Sequence, residues 1–269
     1  MITFKNILEE KYKTKSRVKQ LDENKLLNIL KKDCKDFVKH IKKHGDGVLK
    51  HLNLIFRSSN TNGNFGIIDP KNFNRKSIDA NNIEDYRNSY VRVISNSKYW
   101  KNYPKYEKSI IGIYNNSFSD YGRKVFVIIP FDGAKIVVCN NSMFPFSFKN
   151  IPHKNAHFYD NFFKIGINKF TKNNVNIVLK GRGTKNMNFD EYEINVLKDF
   201  FKSKFKTLYD YIEYQLRPEV NIYNVVNSKT VYNSDYNNKQ VFTDSKCLLI
   251  NWTIFDEDLI NKIQNLEIK

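Results

Sequence analysis

Apolar positions recur along this chain in two rhythms. Leu26, Leu27, Leu30, Cys34, Phe37, Val38 and Ile41 repeat at helical spacing. Lys31, Lys32, Lys35, Lys39 and Lys42 fall on the other face. Asp22 stands where a helix start is capped, and Gly45 where it ends. The pattern predicts a helical N-terminal part over residues 1–50. A two-residue rhythm follows. Leu52, Leu54 and Phe56 share one face of a strand expected over 51–57. Further strands are expected over Ser109–Ile113, Val125–Ile129 and Ala134–Cys139. Pro130-Phe131-Asp132-Gly133 supplies the turn between the last two. These runs are apolar on both faces, which places them centrally.

The helical rhythm returns at Val196, Leu197, Phe200, Phe201, Phe205, Leu208, Tyr209 and Ile212. It predicts one long helix near 189–216, stopped by Arg217-Pro218. A short aromatic helix is expected over 156–170, strands over 240–242 and 247–250, and a closing helix over about 256–266. Residues 58–100 are rich in Asn, Ser and Gly and read as a long surface loop, a kind of segment that is often functional. No internal repeat occurs. The expectation is an α+β fold of one domain overall, with residues 1–50 as a helical part and 51–269 as the core.

Composition narrows the class. A chain of 269 residues with 41% hydrophobic content is long enough to bury one substantial core. Its 21 Phe and 16 Tyr argue against disorder. A net charge of +17 suits nucleic acid, nucleotides or an acidic protein surface. The same Lys and Asn excess also arises from the codon bias of an AT-rich genome, so charge does not decide the partner. Cys34, Cys139 and Cys247 are far apart, lie in apolar stretches and lack metal spacing. They read as reduced core residues. No apolar run approaches the length of a membrane span, and no apolar signal core follows Met1-Ile2-Thr3-Phe4-Lys5. A cytoplasmic protein with no membrane partner is expected.

Familiar sites are few. Neither a Walker A sequence nor G-x-G-x-x-G occurs. Gly181-Arg182-Gly183 is a lone basic turn and reads as a loop. His40 and His44, like His153 and His157, have ligand spacing but no third ligand, so no metal is expected. Glu191-Tyr192-Glu193 pairs two carboxylates, but in the first turn of a predicted helix, where acids offset the macrodipole.

Several blocks recur in a telling order. Phe56-Arg57 ends the first strand, after a helix containing Cys34. Tyr103-Pro104-Lys105 leads into Ser109-Ile110-Ile111. Tyr121-Gly122 precedes Val125–Pro130, and Asp132-Gly133-Ala134-Lys135 opens the next strand. The run Gln240-Val241-Phe242-Thr243-Asp244-Ser245-Lys246-Cys247 closes the series. This order, over roughly residues 30–250, resembles the ADP-ribosyltransferase fold, especially divergent versions carried by tailed bacteriophages.

The resemblance implies a central mixed or antiparallel sheet and NAD as substrate. The acceptor would be a host protein or nucleic acid. It implies that Arg57 holds the dinucleotide, a role suited to a bidentate guanidinium. It implies that Ser109, Asn115 and Asn116 line the cofactor pocket, and that Gln240 and Arg57 occupy the catalytic positions. The chain departs from the family at two points. The Ser-Thr-Ser strand falls on Ile113-Tyr114-Asn115, and the glutamate falls on Gln240. A neutral amide hydrogen-bonds a ribose but supplies no negative charge to an oxocarbenium-like transition state. A second expectation is therefore a degenerate member serving as a binding or virion component. A third is a basic nucleic-acid-binding accessory protein, with bases stacking on Tyr99-Trp100-Lys101 and Tyr103-Pro104-Lys105-Tyr106. The alternative for those aromatics is that they pack the loop.

Overall fold

Among the described residues, nine short strands form the sheet. In chain order they are β1 (Val18–Leu21), β2 (Ile55–Ser59), β3 (Phe65–Ile68), β4 (Ile110–Tyr114), β5 (Lys124–Pro130), β6 (Lys135–Val138), β7 (Asn224–Asn227), β8 (Gln240–Thr243) and β9 (Cys247–Asn251). The fold is given by a computed structural model, which describes residues 18–44, 52–59, 61, 63–72, 89–114, 124–140, 162, 169–180, 189–221 and 224–268. The strand order is β1-β3-β9-β5-β2-β4-β8-β6-β7, and each described pairing is antiparallel. β5 carries Val125-Phe126-Val127-Ile128-Ile129, residue types that fit a pleated surface buried on both sides. It lies between β9 and β2.

Helices supply two cores. α1 (Glu23–Asp33) and α2 (Lys35–His44) follow β1. α3 (Ser89–Asn96) precedes β4, while α4 (Lys172–Leu179), α5 (Glu191–Lys202), α6 (Leu208–Gln215) and the single turn α7 (Pro218–Asn221) lie between β6 and β7. α8 (Glu257–Gln264) follows β9. Leu26, Leu30, Phe37, Val38, Ile41, Leu259 and Ile263 join one core with residues of the sheet. Val93, Val175, Leu197, Phe200 and Ile212 join the other. The strand alternation divides the two cores. Ile136 and Val138 of β6 enter the first, and Val137 enters the second. On β8, Val241 enters the first and Phe242 the second.

The helix expected across residues 22–44 is two helices. Cys34 leaves helical geometry at φ −133° and ψ 40°. The break has a tertiary cause. Asp132, in the β5–β6 turn, accepts the backbone N–H groups of Lys35 (2.9 Å) and Asp36 (3.0 Å). Its own N–H donates to the Asp33 carbonyl at 2.8 Å. A side chain nearly a hundred positions away thus caps α2. Asp22 caps α1 as expected, accepting from Lys25 N.

The long helix expected over 189–216 is also broken. α5 ends at Lys202, where Ser203 is extended and its hydroxyl donates to the Phe200 carbonyl at 2.7 Å. Thr207 then caps α6 by accepting from Asp210 N. Two hydroxyl side chains compete locally for backbone groups, and an apolar periodicity running through both helices does not register that.

The loop expected over 58–100 contains β3, α3 and two single turns among its described residues. β3 lies inside the sheet between β1 and β9. Residues 18–21, expected as helix, are strand. The aromatic helix expected over 156–170 falls largely outside the described residues, although Phe162 is fully buried in the second core. β7 had no sequence expectation.

Candidate functional site

The strands that carry the expected site lie side by side. β2 bears Arg57, β4 is the strand matched to Ser-Thr-Ser, and β8 begins at Gln240. The sheet places them as β2-β4-β8. Phe56 pairs with Ile113, and Ile113 pairs with Gln240. Directly opposed residues in antiparallel strands share a face. Phe56, Ile113 and Gln240 therefore form a row across one face. Arg57, the next residue along β2, projects from the opposite face.

A hydrogen bond and a longer-range charge effect place Arg57. The ladder between β2 and β4 ends at Phe56–Ile113, and there Arg57 Nη1 donates to the Ile111 carbonyl at 3.3 Å. Its positive charge also reaches Cys247, partly opposing the rise in thiol pKa that burial causes. Cys247 and Arg57 share a face by register, through Asn251, Phe126 and the two-residue alternation. Close packing at this seam depends on Gly112. A Cβ there would stand 2.5 Å from Ile55 Cγ2, 2.9 Å from Ile128 Cδ1 and 3.1 Å from the Phe56 carbonyl oxygen.

The remaining expected residues divide. Gln240 is 5% exposed, on the face of the second core. Ser109 is fully buried and its hydroxyl donates to the Lys105 carbonyl at 2.8 Å, so it holds the loop before β4. Asn115 and Asn116 lie outside the described residues, as do Gly181-Arg182-Gly183, His153 and His157. The structure sets the three strands together and directs Arg57 and Gln240 apart.

Other candidate groups are engaged structurally. Glu193 accepts the Asp190 N–H at 2.9 Å while Asp190 accepts the Glu193 N–H at 2.7 Å, a reciprocal cap on α5. His40 Nε2 donates to the Leu52 carbonyl at 2.8 Å, and its ring stacks on Tyr232 at 4.6 Å. Burial pushes its pKa below the usual histidine value. Cys34, Cys139 and Cys247 are buried free cysteines. Burial raises the pKa of Cys34 and of Cys247, which keeps both as thiols. Among the described residues no three His, Cys, Asp or Glu side chains gather as a metal site, and no helix is long and apolar enough to cross a membrane.

A cleft of about 380 Å³ opens between the end of α3 and the segment running into β4. Its walls include Trp100 and Tyr106, and Lys98, Lys101, Lys105 and Glu107 also line it. The frame is pinned from several sides. Trp100 Nε1 donates to the Leu216 carbonyl at 2.8 Å, and Lys98 N donates to Glu213 at 3.0 Å. Lys105 N donates to Asp244 at 3.2 Å. Tyr106 meets Phe242 edge to face at 5.1 Å, which sets the cleft against the same face of β8 as Gln240. The sequence had marked Trp100, Lys101, Lys105 and Tyr106, but not Lys98. The structure shows Trp100 packed into the second core and the three lysines exposed.

No protein family, curated protein or solved structure matches the chain.

Proposed function

We propose that this chain is an ADP-ribosyltransferase-like binding module that performs no ADP-ribosyl transfer. One observation carries the reading. The three strands named by the resemblance, drawn from blocks some fifty and more residues apart in sequence, are neighbours in the order β2-β4-β8. That adjacency supports a shared architecture, and the side chains support the loss of chemistry. Gln240 is a neutral amide where a carboxylate would stabilise developing positive charge. It projects from the face opposite Arg57, so the two do not converge on one ribose. Arg57 instead holds the seam between β2 and β4 through Ile111.

Incubation with labelled NAD and cell extract tests the reading. It expects neither label transfer nor nicotinamide release. NAD turnover that disappears in Arg57→Ala would overturn it.

A further inference from the structure

We infer that the cleft beside α3 is a binding site for single-stranded nucleic acid. This goes beyond the proposed function, and it stands or falls separately from the fate of NAD. Three observations converge on the cleft. Its volume, about 380 Å³, suits one nucleotide-sized group and is too small for a duplex. Its wall carries the half-buried Tyr106 ring, on which any base can stack, while Trp100 also lines it but is packed into the second core and only 6% exposed. Lys98, Lys101 and Lys105 line it as exposed cations; besides Glu213 and Asp244, which accept the Lys98 and Lys105 backbone N–H groups, the lining itself holds one carboxylate, Glu107.

That carboxylate accepts from the Ser95 hydroxyl at 2.7 Å, so it sits in the wall as a hydrogen-bonding group. The arrangement matches the two needs of single-strand recognition: phosphates on a cationic rim and a base against an aromatic wall. Rigidity adds to the case. Contacts from Leu216, Glu213 and Asp244 fix the lining segment before any ligand arrives, which lowers the ordering cost of binding. A phosphorylated or acidic peptide would use the lysines but leave the aromatic wall without a stacking partner.

The test is fluorescence anisotropy on the full chain with labelled oligothymidylate, over a range of salt. Two triple variants remove the same charge. One is Lys98→Gln, Lys101→Gln and Lys105→Gln in the cleft. The other is Lys31→Gln, Lys32→Gln and Lys39→Gln on the exposed faces of α1 and α2. The inference expects the cleft variant to bind on the order of tenfold more weakly or worse, with a log K against log salt slope shallower by about 2. The helix variant should change affinity less than about twofold. Circular dichroism of both variants checks that they remain folded. Equal losses in the two variants would show unspecific attraction to a basic surface and overturn the inference. So would binding to duplex as tight as to the single strand, full competition by polyglutamate, or no binding.

Discussion

Gln240 and Arg57 stand on opposite faces of one sheet, with Ile113 between their strands. Gln240 is 5% exposed, so a charge introduced there meets little water. Gln240→Glu should therefore destabilise the protein by about 2 kcal/mol or more at neutral pH. The loss should shrink on acidification, as the carboxyl takes up a proton. Urea unfolding at pH 7 and pH 5 measures both. A Gln240→Glu variant as stable as the parent at pH 7 would place that side chain in a wet site, against this arrangement.

Asp132 ties the β5–β6 turn to α2 through two backbone N–H groups. Asp132→Ala leaves both without that acceptor. It should cost about 1–2 kcal/mol, the range of a lost helix cap. The change is read as a lower urea midpoint at unaltered slope. Asp132→Asn keeps one acceptor oxygen and should lose less.

Gly112 lies where a Cβ would meet Ile55, Ile128 and the Phe56 carbonyl. Gly112→Ala should cost about 1–3 kcal/mol through overpacking at the β2–β4 seam. Gly133 offers the contrast in space. It has φ +77°, and a Cβ there meets nothing within 4 Å. Gly133→Ala should lose stability only through its left-handed backbone, about 1 kcal/mol. Thermal unfolding of the two variants separates crowding from backbone strain.

His40 provides a pH dependence. Its folded pKa is lowered, mainly by burial, with His44 and Lys43 adding to the effect and the Leu52 carbonyl opposing it. The unfolded chain then holds the proton more tightly than the folded one. The His40 contribution is fully present above about pH 6.5, the ordinary histidine value, and is lost as pH falls toward the lower folded value. His40→Gln removes this linkage, so its stability should fall less than the parent's between about pH 7 and pH 5. Parallel slopes in the two proteins would contradict the assignment.

The sequence revealed the fold best where apolar runs were dense. Val125–Ile129, Cys247–Ile250 and, Cys34 apart, the Leu26–Ile41 stripe lie in elements of the expected type. It failed where a tertiary contact or local hydroxyl groups overrode periodicity. Cys34 belongs to the same apolar stripe as Leu30 and Phe37, and only Asp132 explains the break there. Ser203 and Thr207 break the second stripe through local hydrogen bonds of their hydroxyls. β3 was missed because Phe65-Gly66-Ile67-Ile68 is short and sits among Asn and Gly. Its Gly66 lies against β1, where a Cβ would stand 2.2 Å from Val18 Cγ1. For the site, sequence order marked the three strands that the sheet sets together. It could not give the register, and a one-residue difference in register decides which face Arg57 occupies.

The most direct test of the binding-module account is nicotinamide release. Purified parent protein, Arg57→Ala and Gln240→Glu are incubated with NAD, with and without cell extract, and released nicotinamide is quantified by chromatography. The account predicts no release above the buffer blank from any of the three, since restoring a carboxylate at 240 leaves it on the face away from Arg57. Release by the parent protein that vanishes in Arg57→Ala, or release that appears on Gln240→Glu, would contradict it.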